Sequence, residues 1–205
     1  GKKQLHHGSE VVITAIPMYH IFALTVNTLS YFTFGAKNVL VTNPRDMPSF
    51  VEIWKNTSAT IFTGVNTLFN GLLHTPGFDQ VDFSSLKLSV GGGAAVQQAV
   101  ADKWREVTGI RLHEGYGLSE TSPILTLNFG NSDRSDYIPG IGTPLPNTDI
   151  SIRDDEGNSV AQGSSGELCA KGPQVMPGYW NNIDATNECM TPDGYFKTGD
   201  VALLD

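Results

Sequence analysis

Glu114-Gly115-Tyr116-Gly117-Leu118-Ser119-Glu120-Thr121-Ser122-Pro123 follows the short run Ile110-Arg111-Leu112-His113. The run reads as a strand, so these ten residues sit where a strand leaves a sheet. Two glycines flank Tyr116, and glycine takes backbone angles closed to other residues, permitting a sharp turn close to a ligand. Ser119 and Thr121 offer hydroxyls, Glu120 a hard carboxylate and Tyr116 a flat ring. These parts can hold a planar base, a phosphate and a divalent cation. A polar turn with a packed Tyr and a solvated Glu would use the same residues.

Upstream, strand-like and helix-like segments alternate. Val11 to Ile16 reads as a strand stopped by Pro17, and His20 to Phe34 as a buried helix closed by Gly35. Asn38 to Val41 is a second strand, and Met47-Pro48-Ser49 opens a helix with Phe50, Ile53 and Trp54 on one face. Ala59 to Phe62 is a third strand; Val65, Leu68, Phe69, Leu72 and Leu73 form the stripe of the next helix, ended by Pro76-Gly77. Leu86 to Val90 is a fourth strand, leading into Gly91-Gly92-Gly93-Ala94. Ala95 to Val107 reads as a helix, with Gly109 just past its end. This alternation implies a mostly parallel sheet covered by helices, in which ligands bind beyond the carboxyl ends of the strands. The three glycines leave backbone N–H groups open to a ligand at such an end.

After about Gly130 helical periodicity fades. Asn131 to Gly142 is polar, and Asp149 to Arg153, Gly166 to Lys171 and Tyr195 to Leu204 read as strands. The expected organisation is an α/β part over residues 1–130 and a β-rich part over residues 131–205. Gly166-Glu167-Leu168 and Gly172-Pro173 read as turns and strand pairing, and Gly178-Tyr179-Trp180 as packing at the junction of the two parts.

Composition narrows the function. A net charge of -8 argues against a nucleic-acid or anionic-membrane surface, which needs clustered Lys and Arg. An anionic ligand would then be held by backbone amides, metal or local cations. Cys169 and Cys189 make no disulfide framework and fit a reducing compartment, with a single bridge the alternative. No apolar run is long enough to span a membrane, because Thr25, Asn27, Thr28 and Ser30 interrupt the longest one.

The tyrosine stretch, the triple-glycine turn and Tyr195-Phe196-Lys197-Thr198-Gly199-Asp200, in this order, resemble the adenylate-forming superfamily of acyl-CoA synthetases, adenylation domains and luciferases. Ile16-Pro17-Met18-Tyr19-His20, Thr63-Gly64-Val65-Asn66-Thr67 and Gly166 to Met176 are similar to bacterial long-chain fatty acid–CoA ligases, and the resemblance runs from about Val11 to the last residue. It implies ATP-dependent activation of a fatty acid to an acyl-adenylate and transfer to coenzyme A, with ATP, Mg2+ and coenzyme A required. It also implies the second α/β subdomain of the superfamily's large domain followed by a distorted β-barrel.

Residue by residue, the resemblance makes Glu120 the Mg2+ ligand, with Ser119 beside it where the family usually has Thr. Tyr116 would stack on adenine, with Gly91, Gly92, Gly93, Ala94, Glu114 and Gly117 bordering the nucleotide. Asp200 would accept from the ribose hydroxyls; on its own it reads as a turn aspartate. Thr121 would support Glu120. His20 would wall the acyl-carboxylate pocket, whereas a lone His at a helix start otherwise caps or packs. The helix from Ile21 to Phe34 could line an acyl tunnel or be ordinary core, and no Trp stands there to act as a gate.

The resemblance implies a fragment: the family's phosphate loop, the Arg after the ribose aspartate and the domain with the catalytic Lys fall outside it. The isolated chain is expected to be nearly inactive. A cytoplasmic location fits, and peripheral contact with the inner membrane face is compatible. The competing readings are another adenylate-forming acid ligase and a non-catalytic nucleotide- or acyl-binding module.

Overall fold

The computed structural model describes residues 4–129 and 139–205. The expected boundary near Gly130 and most of the polar stretch after it lie outside the described residues. The chain forms two compact units: Gly1–Gly117 with Thr126–Thr143, and Leu118–Leu125 with Pro144–Asp205.

In the first unit, β1 (Val11–Thr14), β2 (Lys37–Leu40), β3 (Ile61–Gly64), β4 (Leu88–Gly91) and β5 (Leu112–Tyr116) pair in the order β2-β1-β3-β4-β5, all parallel. β6 (Thr126–Leu127) pairs antiparallel with β5, and β7 (Thr143–Pro144) takes the edge beyond it. Parallel strands all leave at one rim. That rim therefore carries Ala15 after β1, Val65 after β3, Gly92 after β4 and Gly117 after β5.

Several strands run further along the chain than their apolar residues suggest. The largest consequence is at β5, expected to end at His113 but continuing through Tyr116. Gly115 and Tyr116 belong to the ladder, opposite Leu127 and Thr126. A Cβ on Gly115 would lie 3.3 Å from Leu127 Cδ1, so this glycine serves close strand packing rather than a turn.

Side-chain alternation divides the sheet. On one face α2 (Met47–Lys55), α3 (Asn66–Leu73) and α4 (Gln98–Thr108) cover Ile13, Phe62 and Leu112. Trp54 and Trp104 meet Phe62 with ring centroids 5.1 and 5.7 Å apart, and Phe69 meets Trp104 at 4.8 Å. Burying side chains of this size stabilises by roughly 2–3 kcal/mol each before entropy is counted. The Trp104 indole donates to Ser89 Oγ at 3.1 Å, so its one polar atom is satisfied. α4 starts at Gln98, three residues later than the periodicity suggests, because Ala94–Val96 continue the glycine turn.

The opposite face carries the expected helix in altered form. Residues Ala23–Ser30 are π-helical, followed by the single turn α1 (Tyr31–Thr33). Thr28 Oγ1 donates to the Ala23 carbonyl and Ser30 Oγ to the Thr25 carbonyl, each five residues back, which helps satisfy a wide turn. The helix is not wholly buried. Ala23 and Asn27 point inward, while Phe32 is 78% exposed. Asn27 is fully buried and bonded throughout: its Nδ2 donates to Thr14 Oγ1 at 2.9 Å, and its Oδ1 accepts from Thr63 Oγ1 at 2.9 Å. Asn38 Nδ2 donates to the Asn27 carbonyl at 2.6 Å, completing a clamp from the helix onto β1, β2 and β3.

In the second unit, β8 (Asp149–Arg153), β9 (Ser165–Lys171) and β10 (Phe196–Leu203) form an antiparallel sheet in the order β10-β9-β8, accompanied by α5 (Ile183–Cys189). Ile152, Leu168, Ala170 and Phe196 are buried there. Gly166 is obligatory, since a Cβ would sit 2.3 Å from the Arg153 carbonyl oxygen. Arg153 binds Asp193 through both terminal nitrogens, at 3.0 and 2.7 Å. Cys169 and Cys189 are both free thiols, with Cys169 buried. No helix among the described residues is long and apolar enough to cross a membrane.

Candidate functional site

The carboxyl rim of the first unit holds a cavity of about 390 Å³. Ala15, Ile16 and Pro17 line it from the end of β1, Val65, Thr67 and Leu68 from the end of β3, and Gly93 from the end of β4. Phe22, Pro44 and Met47 complete an apolar wall, with His20 and Arg45 as its ionisable members. Phe22 is the contribution from the approach to the π-helix, and none of Ala23–Ser30 lines the wall. The helix, read as either acyl-tunnel lining or ordinary core, packs through Asn27 onto β1 and β3.

His20 is exposed and oriented by its own turn. Its Nδ1 accepts from the Phe22 backbone N–H at 3.2 Å, so the neutral ring carries its proton on Nε2. A donor on a largely apolar wall suits a carboxylate head.

The three glycines have three separate reasons. A Cβ on Gly91 would lie 2.5 Å from Val96 Cγ2, and one on Gly92 would lie 3.2 Å from both the Gly115 carbonyl oxygen and the Phe22 ring. Gly93 has φ +76°, where side chains are strained. Gly91 and Gly92 are buried, and only Gly93, Ala94 and Ala95 face solvent. Packing therefore demands the first two, and the surface open to a ligand begins at Gly93.

Glu114 faces the same loop. It is 8% exposed, and its Oε1 accepts from the Val96 N–H at 3.3 Å, anchoring the end of the glycine turn. Burial raises its carboxyl above the usual range, with the Val96 bond opposing. Tyr116 follows two residues on along β5, so alternation puts it on the Glu114 face at the rim, just before Gly117. On the other face, His113 Nδ1 lies 3.0 Å from the Asn128 carbonyl, and desolvation lowers its basicity.

Ser119, Glu120 and Asp200 belong to the second unit. Ser119–Thr121 form one turn of 3-10 helix, with Ser119 exposed and Glu120 half-exposed. Thr121 is fully buried and structural: its Oγ1 accepts from the Leu118 N–H at 2.9 Å and contacts the Pro123 carbonyl at 2.8 Å. The Glu120 carbonyl accepts from the Met176 N–H at 2.8 Å, and its Oε1 accepts from the Tyr179 phenol at 2.8 Å. Tyr179 is the residue that sequence reasoning missed. Its partner lies 59 positions away, and nothing in its local pattern distinguishes it from packing.

Asp200 sits on a bulge. Lys197 pairs with Cys169 and Val201 with Glu167, so three residues of β10 oppose Leu168 alone. Gly199 takes φ +76°, and Asp200 is exposed. Bulges re-aim side chains in this way.

Among the described residues no group of three or more His, Cys, Asp or Glu could hold a metal by itself. A single half-exposed carboxylate nevertheless suits Mg2+, which keeps several waters and is usually held by one or two carboxylates plus substrate phosphates. Glu120, with Oε1 occupied by Tyr179 and Oε2 without a hydrogen-bond partner among the described residues, fits that donor set.

The AMP-binding enzyme family matches residues 2–180. The chain is 52% identical over 202 residues to a long-chain-fatty-acid–CoA ligase of Yersinia pestis, covering 98% of this chain and 35% of that protein. It superposes on ATP-bound MatB from Rhodopseudomonas palustris with a TM-score of 0.81 at 27% identity, covering 97% of this chain and 39% of that one. For the anthranilate CoA ligase AuaEII in complex with anthranoyl-AMP the TM-score is 0.84 at 24% identity, covering 98% and 38%, a likeness of fold. The chain thus spans about a third of the length of the curated relatives it matches. By the extent of the family match and the identity to its relatives, this chain belongs to the AMP-binding enzyme family.

Proposed function

We propose that this chain is the acyl- and adenosine-holding part of a long-chain fatty acid–CoA ligase. In this reading a fatty carboxylate attacks the α-phosphorus of ATP, pyrophosphate leaves, and the coenzyme A thiol then takes the acyl group from AMP. His20 Nε2–H orients the carboxylate at the cavity wall. Tyr116 stacks on adenine, bordered at the open surface by Gly93, Ala94 and Gly117, with Gly91, Gly92 and Glu114 supporting the turn from behind. Asp200 accepts from the ribose hydroxyls, a task suited to two acceptor oxygens. The Ser119 hydroxyl donates to the α-phosphate and, with Glu120, helps hold Mg2+. When bound, Mg2+ neutralises charge on the phosphates, and such transfers depend on positioned charge more than covalent help. The reading places the protein in the cytoplasm, with peripheral contact at the inner membrane face where an apolar substrate collects. The α/β part up to Gly130 and the β-rich part after it would divide the acyl and ribose duties.

The observation that carries the reading is the apolar cavity of about 390 Å³ opening beside Gly93. Its size lies in the range of small-molecule sites, roughly 300–1,000 Å³. A chain-like apolar ligand with an anionic head matches a wall that is mostly apolar, with Thr67, His20 and Arg45 as its polar members. The test is ATP–pyrophosphate exchange by the complete protein across fatty acids of increasing length. Exchange that rises with chain length, and is abolished by Glu120→Gln, supports the assignment. Exchange driven only by aromatic or amino acids would overturn it.

A further inference from the structure

We propose that Tyr179 is a positioning residue for Glu120: its phenol ties one carboxylate oxygen so that the other is presented to a divalent cation. This rests on the reading of Glu120 as a cation ligand, and it adds a residue whose sequence context suggested only packing.

The argument begins with what Tyr179 does not do. Its side chain is 40% exposed and its neighbour Trp180 is 91% exposed, so this segment is not built around a core. The phenol instead donates to Glu120 Oε1 at 2.8 Å. A hydrogen bond to an ionised acceptor is stronger and more directional than a neutral one.

Both ends of the contact are braced. On the Glu120 side, the carbonyl of the same residue is held by the Met176 N–H at 2.8 Å. On the tyrosine side, the Tyr179 N–H donates to Thr186 Oγ1 at 2.9 Å, and Thr186 Oγ1 donates to the Asn182 carbonyl at 2.8 Å. Asn182 caps α5 by accepting from the Ala185 N–H at 3.2 Å. Gly178 allows this approach, since a Cβ there would lie 2.6 Å from Thr186 Cγ2.

The consequence is preorganisation. A free glutamate at the surface samples many rotamers and loses that freedom when it binds a cation. Tyrosine has only two side-chain torsions, so a phenol on a braced turn fixes the carboxylate plane at little further entropic cost. Groups hydrogen-bonded to metal-binding carboxylates orient them in this manner.

The experiment uses the complete ligase, with Mn2+ as the probe in the presence of α,β-methylene-ATP. Free Mn2+ is followed by electron paramagnetic resonance, and melting is recorded in parallel. Tyr179→Phe is expected to raise the Mn2+ dissociation constant roughly tenfold, with the melting temperature unchanged. The Mg2+ concentration giving half-maximal pyrophosphate exchange should rise by the same factor, while the KM for fatty acid stays put. Glu120→Gln should weaken Mn2+ further. If Glu120→Gln weakens Mn2+ but Tyr179→Phe does not, the positioning role is wrong and the cation reading survives. A Tyr179→Phe variant that melts earlier with unchanged Mn2+ affinity makes the phenol a structural strut and likewise overturns the proposal. If Glu120→Gln leaves Mn2+ affinity intact, the cation reading and the proposal fall together.

Discussion

Glu167 Oε1 accepts the Gly199 backbone N–H at 2.9 Å, spanning from β9 to the crest of the bulge in β10. The bulge has a second fastening, Thr198 Oγ1 donating to the Leu168 carbonyl at 2.8 Å. Asp200 is the residue that this bulge turns toward solvent. A glutamate that reads as strand pairing is thus the support of the proposed ribose ligand.

Glu167→Ala should keep the fold, because the Thr198 contact remains, while losing about 1 kcal/mol of stability. Under the proposed function, the complete protein carrying this change should show a raised KM for ATP with the KM for fatty acid unchanged. Steady-state kinetics with each substrate varied in turn checks this. An unchanged ATP KM would separate the bulge from nucleotide binding.

Gly91 is held to glycine by a neighbour rather than by its backbone angles. Gly91→Ala should destabilise by about 1–3 kcal/mol, because Val96 Cγ2 would lie 2.5 Å from the new methyl. Val96→Ala in the same chain removes the obstructing methyl. A urea-unfolding double-mutant cycle should show the pair losing less than the sum of the singles. Simple additivity would mean the clash is relieved elsewhere.

Glu114 predicts a pH effect. Burial raises its folded carboxyl above the ordinary glutamate value of 4.5. The folded state therefore holds that proton more tightly than the unfolded chain. The resulting stability is fully present below pH 4.5 and is lost as pH rises through the folded value. Glu114→Gln keeps an acceptor for the Val96 N–H and removes the titration. Its melting temperature should exceed that of the parent at neutral pH, and the decline from pH 4.5 upward should flatten. A parallel pH profile in the two proteins would exclude Glu114 as its source.

Much of the α/β architecture is legible because each segment carries its own signal. Phe50, Ile53 and Trp54 recur at helical spacing, and α2 forms there with Asp46 capping its start through the Ser49 N–H at 3.2 Å. Gly109 lies past Thr108 with φ +72° and ends α4. The strands are less legible at their ends, because a ladder is set by its neighbour. Tyr116 enters β5 only because Thr126 stands opposite it. The π-helix is another miss, since its clamp at Asn27 draws on β1, β2 and β3 together.

The order of strands and helices, the glycine turn after β4, and the grouping of a ring, hydroxyls and a carboxylate around Tyr116 were determined by the sequence itself. Those features arise from torsional preference and side-chain spacing within a few residues. Only tertiary structure decided that Val96 and Phe22 crowd the first two glycines, that Glu167 supports the Asp200 bulge, and that Tyr179 holds Glu120. Each of those contacts joins separated parts of the chain or depends on where a side chain lands after packing, and no local pattern encodes it.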